Sequence, residues 1–79
     1  MTATQPLLSI VIPCLNEKET IRSVVQDANT YGAKCFSDRY EVIVADNGST
    51  DGTLDILATL SSQCRVVNVP VRGYGDYIS

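Results

Sequence analysis

Glu41-Val42-Ile43-Val44-Ala45 leads directly into Asp46-Asn47-Gly48-Ser49-Thr50-Asp51-Gly52. An apolar, β-branched run gives way at one residue to a polar loop with two glycines. The first half predicts a strand, nearly continuous in apolar character as in a sheet covered on both faces. The second half predicts a turn, with Gly48 and Gly52 supplying backbone freedom and Asp51 set where a helix begins. Behind it, Leu54, Leu57, Ala58 and Leu60 predict the inner face of a short helix.

The same grammar repeats on either side. Upstream, Leu8-Ser9-Ile10-Val11-Ile12 reads as a buried strand stopped by Pro13. Asn16 followed by Glu19 resembles a capping box. Ile21, Val24, Val25 and Ala28 then recur on one helical stripe that runs to about Tyr31, with Gly32 as its stop. Downstream, Arg65-Val66-Val67-Asn68-Val69 is a third strand ended by Pro70, and Arg72-Gly73-Tyr74-Gly75 is a glycine-flanked turn. The order strand, helix, strand, helix, strand implies an α/β fold: a βαβαβ parallel sheet with right-handed crossovers and helices on both faces. Residues 1–6 read as a tail. Residues 7–79 read as the amino-terminal part of one domain, because three strands give too little cover for a parallel sheet.

Composition narrows the chemistry. The 79 residues include 44% hydrophobic and 19% charged residues, which suits a folded chain rather than a disordered one. The absence of histidine excludes histidine general-base and metal-ligand chemistry within this sequence. A net charge of -3 argues against a nucleic-acid partner, since no counterion-release affinity is available. Cys14, Cys35 and Cys64 lack the close spacing of a zinc or redox motif and read as reduced thiols of a cytoplasmic protein. No signal peptide is visible, and no apolar stretch approaches the ~20 residues of a membrane span. The dinucleotide fingerprint fails at Gly73-Tyr74-Gly75, where Ile78 occupies the third glycine's place, and no phosphate-loop lysine motif exists. Read as a calcium loop from Asp46, the sequence puts Asp51 where glycine belongs and Leu57 where glutamate belongs.

Ligands of open α/β sheets bind beyond the carboxyl ends of the strands. Three loops fall there: Pro13-Cys14-Leu15-Asn16-Glu17, Asp46-Asn47-Gly48, and Pro70-Val71-Arg72-Gly73. Asp46 either accepts hydrogen bonds from a base N–H or sugar hydroxyl, or caps its own loop as an Asx-turn. Glu17 either favours a helix dipole or bonds a ribose or base. Arg72 either sits in water or reaches a phosphate or base carbonyl with its forked donors.

Ile10 to Glu17, Val42 to Thr53 and Arg72 to Gly75, in that order and spacing, closely resemble the opening of the family 2 glycosyltransferases, nearest the branch of dolichol-phosphate mannose and glucose synthases. The resemblance implies the GT-A fold, a Rossmann-like nucleotide-sugar-binding sheet. It implies that Pro13, Leu15 and Glu17 contact the nucleoside, that Asp46 binds the base with Asn47 close by, that Arg72 lies near base or phosphates, and that Gly73 lets the backbone approach the nucleotide. The implied reaction is inverting transfer of a hexose from a UDP- or GDP-sugar to an acceptor, a polyprenyl phosphate among the candidates. The family's metal-holding Asp-X-Asp motif and catalytic base are absent from this sequence. Magnesium or manganese is therefore expected in the full-length enzyme, and no metal or catalytic residue here, so the chain should not catalyse alone. Tyr77 stands where the family has a small residue. The alternative expectation is a non-catalytic fragment that binds nucleotide, or that self-associates or completes a partner's sheet through its open edge.

Overall fold

In the computed structural model, which describes residues 7–69, the chain runs β1 (Leu8–Cys14), α1 (Ile21–Phe36), β2 (Tyr40–Asp46), α2 (Thr53–Ala58) and β3 (Arg65–Asn68). The strands form one parallel sheet in the order β1-β2-β3. Leu8 pairs with Tyr40 and Cys14 with Asp46, so β1 and β2 end level with one another. Asp46 in turn pairs with Asn68 of β3.

Both helices lie on one face of this sheet, which corrects the expectation of helices on both. The sheet grows in one direction, from β1 to β2 to β3, and two right-handed crossovers made in the same direction land on the same side. Period-2 alternation records the result. Cys14, Val42, Val44 and Asp46 are buried beneath the helices, whereas Val11 and Val67 on the other face are 57% and 39% exposed. The core is a single cluster of Cys14, Ile21, Val25, Val44, Leu57 and Leu60, with Ile12, Ile56 and Cys64 packed against it. Cys14, Cys35 and Cys64 are free thiols.

Several element boundaries move. Strand β1 continues through Pro13 to Cys14, because at the sheet's edge a missing N–H need not cost a ladder bond. Strand β3 ends one residue early at Asn68, although Val69 still donates its N–H to the Asp46 carbonyl at 2.7 Å. No capping box forms at Asn16 and Glu19. Helix α1 starts after Thr20, which makes no side-chain cap, and the backbone enters it through a turn in which Ile21 N–H donates to the Glu17 carbonyl at 2.8 Å. Its inner face is narrower than expected: Ile21 and Val25 are buried, while Val24 is 37% exposed.

Gly32 does not stop α1, which runs on to Phe36 and closes at Ser37, where φ turns positive at 56°. The glycine serves packing instead. A Cβ at position 32 would fall inside the van der Waals envelope of the Tyr40 ring. That ring is held from its far end, since Tyr40 Oη donates to Asn29 Oδ1 at 2.8 Å. Asn29 Nδ2 in turn donates to the Gln63 carbonyl at 3.0 Å, clasping α1 to the connection before β3. Gly32→Ala is therefore expected to push the ring off this clasp and to destabilise the chain by about 1–3 kcal/mol, the range for overpacking. Thermal melting by circular dichroism checks it; a melting temperature at or above the wild type's would refute the packing role.

Candidate functional site

The two crossover loops meet at the carboxyl ends of β1 and β2. Their backbones join where Asn47 N–H donates to the Cys14 carbonyl at 2.8 Å. Two further links run across. Asn16 N–H donates to Ser49 Oγ at 2.9 Å, and Thr50 N–H donates back to Asn16 Oδ1 at 2.7 Å. One turn on, Glu17 N–H donates to Thr53 Oγ1 at 3.0 Å, and Lys18 N–H donates to Asp51 Oδ2 at 3.3 Å.

Asp46 organises the second loop from within. Its side chain is only 1% exposed. Oδ2 accepts from the N–H groups of Gly48 at 3.1 Å and Ser49 at 3.0 Å, and Oδ1 accepts from Ser49 Oγ at 2.6 Å. This is the Asx-turn alternative. Gly48 and Gly52 both take positive φ, 97° and 100°, which lets the loop fold back over the carboxylate and then enter α2. Burial acts to raise the Asp46 carboxyl, but the hydrogen bonds from Ser49 and Gly48 outweigh it, and the group ionises below the ordinary value of 3.8. The adjacent Cys14 thiol is pushed up, first by burial and then by the negative Asp46.

Asp51 is spent on the start of α2. Its Oδ1 accepts from Thr53 N–H at 3.0 Å and from the Thr53 hydroxyl. The Thr53 hydroxyl is the main cause holding its carboxyl below 3.8. Both depressed carboxyls contribute stability that is present above 3.8 and lost as pH falls through their lowered values. The melting temperature should therefore owe no loss to either group from neutral pH down to about 4.5, and should fall on further acidification. Asp46→Asn should flatten that acid limb; an unchanged limb would show that Asp46 does not contribute to it.

Of the residues singled out in the sequence, Pro13, Leu15, Glu17, Asp46 and Asn47 all gather on this rim. Leu15 is 48% exposed, and Pro13 and Glu17 are also exposed. Glu17 Oε1 accepts from the Thr20 hydroxyl at 3.1 Å. Asn47 is half-buried, and its Oδ1 is the one buried side-chain polar atom without a partner among the described residues. Such an atom is rare in a native structure and calls for a water or ligand donor. Arg72 and Gly73 lie outside the described residues.

Asn16, Ser49 and Thr53 belong to the rim although the sequence reading gave them no such role. Ser49 and Thr53 bond across 33 and 36 positions of sequence, a pairing that no local pattern encodes. The residue type of Asn16 did carry a signal, since asparagine is enriched in the left-handed conformation, and Asn16 has φ 52°. Among the described residues, no group of three or more acidic, cysteine or histidine side chains could hold a metal ion. Asp46 and Asp51 already spend their oxygens on the loop, so the metal expected of the family does not fit this part of the site. A concavity of about 480 Å³ lies at the opposite rim, lined by Asn29, Tyr40, Gln63 and Arg65 among others. It is remote from the carboxyl ends of the strands, where open α/β sheets bind ligands.

The family model for glycosyl transferase family 2 matches residues 9–76. The chain belongs to this family. Curated relatives of this glycosyltransferase chain include glycosyltransferase AglE of Haloferax volcanii, 41% identical over 64 residues, covering 78% of this chain and 20% of the relative. An undecaprenyl-phosphate 4-deoxy-4-formamido-L-arabinose transferase of Serratia proteamaculans is 30% identical over 82 residues, covering 98% of this chain and 25% of the relative. Among solved structures, glucosyl-3-phosphoglycerate synthase from Mycobacterium tuberculosis superposes with a TM-score of 0.58 at 40% identity, covering 84% of this chain and 24% of that one. That structure was solved in complex with manganese, UDP and glucosyl-3-phosphoglycerate. The present chain thus spans a fifth to a quarter of the relatives it matches. The sheet, with its alternating strands and helices, is that of the GT-A Rossmann-like fold. No helix among the described residues is long and apolar enough to cross a membrane.

Proposed function

We propose that this family 2 chain contributes base and ribose recognition to the inverting transfer of a hexose from a UDP- or GDP-sugar. A polyprenyl phosphate is the acceptor class suggested by the undecaprenyl-phosphate transferase among its relatives. Such transfer would take place at the cytosolic face of a membrane. The observation that carries the reading is the joined rim: Pro13, Leu15 and Glu17 stand beside Asn47, whose buried Oδ1 lacks a donor. Leu15 offers an apolar surface for a base, and Glu17 an acceptor for a ribose hydroxyl. The Asn47 amide nitrogen is a donor for the polar edge of a base. Asp46 supports this arrangement from below as the anion on which the loop is wound. Arg72 and Gly73 complete the proposed contacts, toward base and phosphates.

A divalent metal bound by an intact enzyme would stabilise the departing diphosphate. The described residues supply no ligand set for it and no general base is assigned here. The role proposed for this chain is therefore recognition of the nucleotide. Calorimetric titration of the folded chain with UDP and with GDP, each with and without manganese, tests the proposal. The expected outcome is saturable heat with one of them, only weakly altered by the metal. A folded sample that gives no heat at about millimolar nucleotide would overturn it, since ~4 kcal/mol is the least a specific site should provide.

One observation favours a second reading. The sheet face away from the helices carries exposed Val11 and Val67, and β1 and β3 are both edge strands among the described residues. Open edges pair readily with other strands, so self-association or sheet completion is the competing role. Sedimentation velocity separates the two readings. A monomer that binds nucleotide supports recognition, while concentration-dependent oligomers without nucleotide binding support sheet completion.

A further inference from the structure

We propose that Asn16 is a positioning residue, which sets the nucleoside-facing loop of β1 at a fixed distance from the loop of β2 before any ligand arrives. The inference rests on the nucleotide reading above and adds to it a part that no contact residue supplies.

Ser49 Oγ donates its one hydrogen to Asp46 Oδ1 at 2.6 Å and accepts from Asn16 N–H at 2.9 Å. Its rotor is therefore fixed from both sides. Thr53 Oγ1 repeats the pattern: it accepts from Glu17 N–H at 3.0 Å and donates to the Asp51 carboxylate. Two struts of the same design, amide to hydroxyl to carboxylate, thus join consecutive residues of one loop to the other. Asn16 alone adds a return bond, with its Oδ1 accepting from Thr50 N–H at 2.7 Å. That return bond requires the left-handed backbone seen at Asn16, φ 52°, which turns side chain and N–H toward the same partner loop. Asn16 lies between Leu15 and Glu17, two of the residues read as nucleoside contacts, and both are exposed while Asn16 is bound to the partner loop. Holding contacts in place before binding lowers the ordering cost that binding otherwise bears.

Two substitutions isolate the side-chain bond. Asn16→Gly keeps the left-handed backbone and the N–H but removes the acceptor. Asn16→Asp keeps an acceptor oxygen, and titration in about 0.5 M salt screens its added charge. Two readouts are taken on the whole chain: hydrogen exchange of the Thr50 amide without ligand, and calorimetric affinity for UDP and GDP. The expected result is a protected Thr50 amide in the wild type and in Asn16→Asp, with faster exchange in Asn16→Gly. Nucleotide Kd should rise about three- to tenfold in Asn16→Gly, the worth of one such hydrogen bond, and stay within about twofold in Asn16→Asp. A wild-type Thr50 amide that exchanges like an open loop amide overturns the latch, whatever the nucleotide does. Wild-type affinity in Asn16→Gly, or equal weakening in both variants, overturns the positioning role while the nucleotide reading stands. A protected Thr50 amide with no nucleotide bound overturns the nucleotide reading, and Asn16 is then a loop fastener only.

Discussion

Asp46→Ala is expected to cost the chain about 3–5 kcal/mol of its stability. Three donors converge on this carboxylate: the N–H groups of Gly48 and Ser49 and the Ser49 hydroxyl. Alanine strands all three in a place where the side chain is 1% exposed. A buried donor deprived of its partner costs about 1–3 kcal/mol, more when the lost acceptor was charged. The two amides are kept in place by the bonds that tie this loop to the β1 loop, through Asn47, Ser49 and Thr50. A loss of about 3–5 kcal/mol is the expected sum, against the roughly 4–12 kcal/mol that a chain of this size has in total. Asp46→Asn should do much less damage, since one amide oxygen can still serve the backbone donors and the Ser49 hydroxyl can reverse toward the amide nitrogen. Urea unfolding at neutral pH measures both. If Asp46→Ala falls within about 1 kcal/mol of the wild type, the loop is not wound on this carboxylate.

That expectation also marks how far the sequence could be read. Val42, Ile43 and Val44 announced a strand, and the β-branched run with its polar end could hardly form anything else. The alternation of such runs with helical stripes implied the parallel sheet. What the residues could not announce was the side of the sheet on which each helix packs, because that follows from strand order and not from any local pattern. Boundaries failed for physical reasons of the same kind. Gly32 looks like a helix stop in isolation, yet the Tyr40 ring laid against it makes a small residue necessary inside the helix. Asn16 looks like a cap, yet Ser49 and Thr50 claim it from a distant loop. At the site, Pro13, Leu15, Glu17, Asp46 and Asn47 were located on one rim because carboxyl ends of parallel strands share an edge. For Asp46, both a base-binding and an Asx-turn role were open on chemical grounds. Its burial and three internal donors favour the second.

Leu57→Ala and Leu54→Ala form the second test with a large expected effect, and it concerns the phase of α2. The sequence pattern assigns both leucines to the inner face. In the fold, Leu57 is 1% exposed within the core cluster while Leu54 is 42% exposed. The difference arises at the helix start. Thr53 is fully buried, because its hydroxyl must meet both the Asp51 carboxylate and the Glu17 N–H. With Thr53 turned inward, a helix of 100° per residue carries Leu57 inward and rotates Leu54 toward water. Leu57→Ala should therefore cost about 2–5 kcal/mol, the transfer term plus the cavity it leaves between Ile21, Val25 and Val44. Leu54→Ala should stay within about 0.5 kcal/mol, as surface changes do. Equal losses at the two positions in urea unfolding would mean that the apolar stripe sets the rotation of α2. A large loss at Leu57 alone means that α2 holds the rotation in which Thr53 and Leu57 face inward together, so that one helix phase serves both the rim of the candidate site and the core beneath it.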